Sequence, residues 1–284
     1  MTDRAAEFQQ HRSLLFSVAY RMLGRVADAE DIVQDAWLRW QNAPVTEIRS
    51  PKSYLATITT RLCLDHLRSA EVKRKEYIGP WVPEPLPASR MPDETMADSL
   101  SQAFLMLLES LTPVERAAFL LREVFDYEYA EIAGILERSE AACRQLVKRA
   151  RDHIAARRPR FPAPREEQLR LADRFFQACA TGDLAGLEAL LARDVTLYSD
   201  GGGRVLSARN PIYGADHVAR FLLGVLKKPP PGFRTEKAWI NGQPGAVNYV
   251  GDRVFNTLAL DVDDGRICGI YIVANPEKLR AVTW

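Results

Sequence analysis

DAEDIVQDAWLRW, residues 28–40, carries the periodicity from which the rest of the chain can be read. Ala29, Ile32, Val33, Ala36, Trp37 and Trp40 recur at helical spacing, and Asp28, Asp31, Gln34, Asp35 and Arg39 fall mainly on the other side. Residues 28–35 hold four acidic side chains and no basic one. Such a helix needs a core for its apolar stripe and suits a basic partner with its carboxylates. Beyond it, Pro44 and Pro51 punctuate a loop. SPKSYLATITTRLCLDHLRSAEVKRK (50–75) then reads as one long or two abutting helices, with Tyr54, Leu55, Ile58, Leu62 and Leu67 apolar. Residues 61–75 carry five Lys/Arg against two acids.

The middle of the chain has a different grammar. Residues 79–94 hold five prolines, which remove backbone donors and fix φ, so residues 77–98 read as an extended linker. Leu100, Phe104, Leu107, Leu108 and Leu111 form the next helical stripe. Thr112-Pro113-Val114-Glu115 is a capping box with proline at the first helical position, opening a helix to about Glu123. A short helix (Glu128–Leu136), a tight turn at Glu137-Arg138 and Ser139 as N-cap of a basic helix complete a helix-turn-helix pattern. Residues 138–160 carry eight Lys/Arg against two acids. In SEAACRQLVKRAR (139–151), Arg144 and Gln145 could reach base edges, guanidinium to guanine and amide to adenine. Lys148, Arg149 and Arg151 suit phosphates, which fix register without reading sequence.

Pro159, Pro162 and Pro164 mark a further boundary, after which the pattern becomes α+β. Residues 166–180 and 183–192 read as helices, and a helix over about Asp216–Lys227 interrupts a series of strands. The strand-like runs are VTLYS (195–199), RVLSA (204–208), FRTEKAWI (233–240), AVNYV (246–250), RVFNTLALDV (253–262) and RICGIYIV (266–273). DGGG, Asn241-Gly242, Gly251-Asp252 and Asp264-Gly265 supply the turns. The expected segments are 1–76, 77–98, 99–160 and 165–284.

Composition bounds the function classes. The 284 residues are 47% hydrophobic and 26% charged, with net charge +1, so binding to nucleic acid must come from local basic helices and not from bulk charge. No apolar run approaches the ~20 residues of a membrane span, and the N-terminus is polar, so neither a membrane segment nor a secretory leader is expected. Cys63, Cys143, Cys179 and Cys268 are too scattered for a metal site or disulfide framework; reduced thiols in a cytoplasmic protein, with no cofactor, are expected.

FQQHRSLLFSVAYRMLGRVADAEDIVQDAWLRW with PKSYLATITTRLCLDHLRS resembles region 2 of the extracytoplasmic-function (ECF) class of sigma-70 factors. LTPVERAAFLLREVFDYEYAEIAGILERSEAACRQLVKRAR resembles region 4 of the same class. WVPEPLP (81–87), DGGGR (200–204) and NPEKL (275–279) resemble the sigma-J type, which carries a C-terminal SnoaL-like (NTF2-like) domain. The fold implied is a region 2 helical bundle, a region 4 helix-turn-helix and an α+β cone-shaped NTF2-like domain.

The resemblance implies partners: RNA polymerase core, through the β′ clamp helices and the β flap, and promoter DNA. Asp31, Gln34 and Asp35 match the positions that dock on the β′ coiled coil. The loop near residues 42–50 matches the pocket for a base flipped from the −10 element, with Arg61, Arg68, Lys73 and Arg74 suited to phosphates. Tyr54 and Trp37 could stack on a base or serve the core. The 139–151 helix would read the −35 element. The turn of this helix pair often has glycine where this chain has Glu137-Arg138, so the turn either avoids positive φ or holds strain.

The C-terminal domain leaves alternatives open. Tyr198, His217, Trp239, Asn241 and Asn248 are candidate polar groups of a pocket that could take a small-molecule ligand. An isomerase or hydrolase would need a base there, and Asp200 and His217 are the candidates, without a second partner fixed by spacing. Asp200, Gly201, Gly202 and Gly203 read as a hairpin at positive φ, or as a regulatory loop whose glycines permit close approach to a neighbouring domain; in the sigma-J type the motif is associated with contact to the sigma regions. A promoter-specificity factor controlled in cis, an enzyme with a DNA-binding front end and an ordinary helix-turn-helix repressor are the three readings.

Overall fold

The computed structural model of the chain describes residues 4–44, 48, 50–75, 77–90, 100–155 and 164–280, without the side chains of 70–75 and 90. The chain divides into two compact units: Met1–Glu76 with Leu105–Arg158, and Tyr77–Phe104 with Pro159–Trp284. This grouping differs from the four consecutive segments expected. The front helices and the helix-turn-helix share one unit, and the proline-rich linker belongs with the C-terminal domain. The end of the expected linker (91–98) and the boundary prolines at 159 and 162 lie outside the described residues.

In the first unit, α1 (Arg4–Leu23), α2 (Val26–Asn42) and α3 (Pro51–Lys75) form a bundle. The α2 stripe is buried as its spacing requires, through Ala29, Ile32, Val33, Ala36 and Trp40. The indole of Trp40 donates to the Arg4 carbonyl (2.9 Å), and the Arg4 guanidinium donates back to the Trp40 carbonyl (2.9 Å), tying the start of α1 to the end of α2. The part of α4 (Gln102–Glu109) from Leu105 on, α5 (Pro113–Glu123), α6 (Tyr129–Leu136) and α7 (Glu140–Ala155) follow. The capping box at Thr112–Glu115 is formed in both directions, and the Ser139 hydroxyl accepts from Ala142 N (3.2 Å). Glu137 caps α6 in the left-handed region (φ 53°, ψ 50°), so the turn holds the strain that a glycine would avoid.

The front bundle and the helix-turn-helix are packed on each other. Ala56 of α3 is buried in one cluster with Ala118, Leu121, Tyr127, Ile132, Ile135, Cys143, Leu146 and Val147. Arg116 of α5, 2% exposed, donates to the Met22 carbonyl (2.5 Å) and to Glu109 (2.7 Å). Arg21 is buried with its guanidinium over Phe125 (5.5 Å), and desolvation lowers its pKa to about 10. A buried guanidinium satisfied by fixed acceptors specifies one docking geometry, because any other leaves a charge unpaired.

In the second unit, α8 (Arg165–Thr181), α9 (Leu184–Leu190) and α10 (Ala215–Leu226) pack on one face of a six-stranded sheet. The strands are β1 (Leu191–Asp200), β2 (Ile212–Tyr213), β3 (Phe233–Ile240), β4 (Gln243–Val250), β5 (Arg253–Asp263) and β6 (Arg266–Val273), in the order β2-β1-β6-β5-β4-β3. Only β1 and β6 pair in parallel; the other neighbours are antiparallel. This is the NTF2-like α+β arrangement the resemblance implied. Asn241-Gly242 and Asp264-Gly265 each take two consecutive positive φ values, as a two-residue hairpin with matching twist demands. The core lies between helices and sheet, with Phe175, Leu187, Val218, Leu258, Leu260 and Ile270 among its members.

One expected strand is absent. Residues 204–208 (RVLSA) form turn and loop after the glycines. Leu206 is fully exposed and no sheet neighbour receives it, whereas the unanticipated β2 pairs with β1. The alternation in RVLSA is too short to separate a strand from a loop that happens to carry Val205 and Leu206.

Candidate polymerase and nucleic-acid interfaces and the linker latch

The four acids of residues 28–35 fall into two pairs. Asp28 lies near Arg25 (3.8 Å) and His66 (3.5 Å), and Glu30 binds Arg12 (2.5 Å). Asp31 and Asp35 are exposed together with Gln34, and none of the three pairs with another group among the described residues. Helical spacing continues that stripe to Leu38, an apolar side chain left 49% exposed. Charge plus one apolar anchor on a single helix face is the composition of a docking surface.

The stripe runs into an open groove of about 490 Å³ lined by Leu38, Arg39, Asn42, Ala43, Pro44, Tyr54 and Ile58. It lies where the loop near 42–50 was expected to form a base pocket; Val45, Thr46, Glu47 and Arg49 of that loop lie outside the described residues. Tyr54 meets the buried Trp40 (5.9 Å) yet lines the groove, whereas Trp37 packs on Phe8 (5.0 Å) and is taken by the bundle.

The basic residues are placed unevenly. Arg61, expected on phosphates, instead reaches the helix-turn-helix. Its guanidinium donates to the carbonyls of Ile135 (3.0 Å) and Gly134 (3.0 Å) and pairs with Glu137 (3.0 Å). The carbonyls at the end of α6 carry partial negative charge, so the same arginine caps that helix and offsets part of the strain at Glu137. Arg68 is exposed and pairs with Asp65. The side chains of Lys73 and Arg74 lie outside the described ones.

On α7, Gln145 and Lys148 are exposed and unpaired among the described residues. Arg144 binds Glu140 (2.7 Å) and stands over the Tyr129 ring (5.0 Å). Arg149 and Arg151, expected on phosphates, turn back to α5 and bind Glu115 (2.9 Å) and Glu123 (2.6 Å). Burial pushes the Glu115 carboxyl up, but hydrogen bonds from Thr112 and Arg149 together hold it below its usual range. Such exposed pairs contribute about 0–1 kcal/mol each, so a phosphate competes with them readily.

The DGGGR loop, expected as a hairpin or as a loop reaching a neighbouring domain, is bonded to the proline-rich linker. Asp200, 0% exposed, accepts four donors: Tyr77 Oη (2.5 Å) and Gly202 N (3.0 Å) on one oxygen, Val82 N (2.9 Å) and Lys278 Nζ (2.7 Å) on the other. Lys278 of NPEKL, 2% exposed, also donates to the Val82 carbonyl (2.5 Å) and stands over the rings of Trp81 (4.0 Å) and Tyr77 (5.2 Å). Asn275 Nδ2 donates to Tyr77 Oη (2.9 Å). The glycines make this approach possible. Gly202 and Gly203 take positive φ (59° and 70°), and a Cβ on Gly202 would sit 2.3 Å from Asn275 Nδ2. On Gly201 it would meet the Val205 carbonyl at 2.7 Å. Further along, Asn241 Oδ1 accepts from Leu86 N (2.9 Å) and Gln102 Nε2 (3.1 Å), Asn241 N donates to the Leu86 carbonyl (2.8 Å), and Gln243 Oε1 accepts from Gln102 N (2.8 Å). The linker is thus latched to the C-terminal domain at both ends of WVPEPLP.

The expected pocket groups are not brought together. Asn241 holds the linker. Tyr198 stacks on Tyr271 (5.6 Å), on the sheet face opposite the helix-packed core residues Leu197 and Ile270. Trp239 lies under Arg165 (4.4 Å), Asn248 bonds Thr235 and Asn256 (2.7 Å each), and His217 is exposed on α10. Asp200, a candidate base in the enzymatic reading, has both oxygens bonded by its four donors and no solvent access, so it faces no pocket.

Residues 8–72 match the family profile of Sigma-70 region 2, and residues 101–154 that of Sigma-70, region 4. The chain belongs to the ECF RNA polymerase sigma factors: non-enzymatic transcription-initiation factors that act with core polymerase on promoter DNA. It is 39% identical to the ECF RNA polymerase sigma factor SigJ of Mycobacterium tuberculosis, over 96% of this chain and 92% of the relative. It is 32% identical to the "Probable ECF RNA polymerase sigma factor SigI" of the same organism, over 97% and 94% respectively. The crystal structure of Mycobacterium tuberculosis SigJ superposes with a TM-score of 0.80 at 35% identity, covering 97% of this chain and 98% of that one. No helix among the described residues is long and apolar enough to cross a membrane.

Proposed function

We propose that this cytoplasmic sigma factor docks on the β′ coiled coil through Asp31, Gln34, Asp35 and Leu38, holds a flipped −10 base in the groove at Tyr54, and reads −35 DNA with Arg144, Gln145 and Lys148. Region 4 also contacts the β flap. The C-terminal domain controls initiation in cis by holding the segment that joins the two reading regions. The observation that carries this is the buried Asp200–Lys278 pair (2.7 Å), closed over Val82 of the linker.

The −10 and −35 elements are about 25 base pairs apart, roughly 85 Å of B-DNA. The first unit, in contrast, packs regions 2 and 4 into a shared core through Ala56, Arg61 and Arg116. Reading both elements together requires that docking to open and residues 77–104, on the order of 90 Å if fully extended, to come free. While the latch is closed the linker cannot supply that length. A small-molecule ligand of the C-terminal domain would act by binding the latched or released form better.

The test is initiation with purified core polymerase. Lys278→Met keeps the stem and removes the charge, leaving Asp200 without its cation. We expect it to raise transcription several-fold over the unaltered chain. Unchanged transcription from a variant whose linker is demonstrably open to protease would remove cis control from the account. Point variants serve better than removal of residues 165–284, which would bare Val82 and Leu86, both buried in the second unit.

A further inference from the structure

We propose that Tyr129 is the positioning residue for −35 base preference: its ring fixes Arg144 in the conformation that reads a guanine. The proposal rests on α7 being the −35 reader and adds a residue outside that helix. Tyr129 is the first residue of α6, and one side of it packs against the helix-turn-helix core of Ile132, Cys143 and Leu146. The core therefore sets the plane of the ring. The guanidinium carbons of Arg122 and Arg144 stand over that ring at 5.1 and 5.0 Å.

Two guanidiniums beside one phenol would repel one another in isolation. Each carries its own carboxylate: Arg122 has Glu128 (3.3 Å) with Asp126 farther off (3.9 Å), and Arg144 has Glu140 (2.7 Å). The ring is the shared element. Arg122 is further anchored on the Tyr127 carbonyl (2.9 Å), so it acts as a fixed cation beside the ring. Arg144 makes one hydrogen bond in this set, through Nη2 to Glu140, which leaves most of the five guanidinium N–H groups unused. A bidentate contact to guanine O6 and N7 needs two of them. A free arginine side chain loses much rotamer freedom when it docks. Glu140 and Tyr129 remove that freedom beforehand, so the ordering cost is already met when DNA arrives.

The test measures the preference ratio of holoenzyme on a −35 promoter library, using the full chain with core polymerase. A ratio is insensitive to the fraction of active protein, so partial loss of folding does not mimic the effect. Arg144→Ala should abolish the guanine preference at one position. Tyr129→Leu keeps apolar bulk against the core but removes the ring face, and should reduce the same preference by roughly two- to five-fold. Tyr129→Phe keeps the ring and should match the unaltered chain. Equal loss on all −35 sequences in Tyr129→Leu would overturn the proposal, because that is what a merely structural residue does. A phenylalanine variant as impaired as the leucine one would overturn it too, by assigning the effect to the hydroxyl. If Arg144→Ala leaves every base preference intact, the reading of α7 fails and this proposal falls with it.

Discussion

Asp35 and Asp200 are the same side chain under opposite treatment. Asp35 stands on an exposed helix face with Asp31 and has no partner among the described residues. Asp200 is sealed from solvent by four donors, three of them from Tyr77, Val82 and Lys278. The difference teaches how this chain divides its interactions. The polymerase face is left unsatisfied and stays available to another molecule, whereas the latch is satisfied internally and must be broken before anything outside can replace it. The front unit lies between these extremes: Arg149 and Arg151 are paired but exposed, so their bonds can be exchanged at small cost.

The contrast is broken most severely at the latch. Lys278→Ala strands a buried carboxylate and should destabilise the second unit by about 3–5 kcal/mol, read from urea unfolding. The double variant Lys278→Met, Asp200→Asn should recover much of that loss, since no charge is then left unpaired.

A half-buried acid, Asp261, should show its effect through pH. Burial, with Asp263 nearby, raises the Asp261 pKa from 3.8 to about 6, against the opposing hydrogen bond from Gln243. The folded state therefore holds this proton more tightly than the unfolded chain. Its contribution is fully present below pH 3.8 and is lost as pH rises through about 6. At ~1.4 kcal/mol per pK unit the decline is up to about 3 kcal/mol. Asp261→Asn should flatten that part of the profile in thermal melts collected from pH 4 to 7.

Glu137→Gly sharpens the comparison at an intermediate site. Glycine relieves a left-handed residue, about 1 kcal/mol in favour of the turn, and gives up only the exposed Arg61–Glu137 pair. Net stability of the first unit should rise slightly, whereas Arg61→Ala should lower it by removing both carbonyl contacts; denaturation of the two variants side by side checks the ranking. The smallest effect on stability belongs to Asp31→Asn with Asp35→Asn, within about 0.5 kcal/mol. The same pair should weaken association with core polymerase by roughly tenfold, which surface-immobilised core would measure.

Local features were legible in the sequence and distant pairings were not. The α2 stripe, the Thr112–Glu115 box, the Ser139 cap and the Asn241-Gly242 turn depend on neighbours within a few residues, and periodicity or backbone chemistry reports them. Asp200 was read as part of a glycine loop or as a pocket base, and its linker role was not seen, because its partners lie 123, 118 and 78 residues away in Tyr77, Val82 and Lys278. Asn241 was expected in a pocket; its backbone role in the turn could be seen, but the linker amide it accepts from could not. The prolines of WVPEPLP correctly marked an extended segment. Whether extended chain is free or clasped depends on a surface that the segment itself does not encode. On α7 the basic residues were found, yet not the sorting that turns Arg149 and Arg151 toward Glu115 and Glu123.

The most direct measurement is hydrogen exchange at the Val82 amide, whose N–H points at a buried carboxylate, in the free protein and in a transcribing complex with core polymerase and promoter DNA. Strong protection is expected in the free protein and fast exchange in the complex, as the linker leaves the C-terminal domain. Val82 equally protected in a complex that makes transcript would contradict this release.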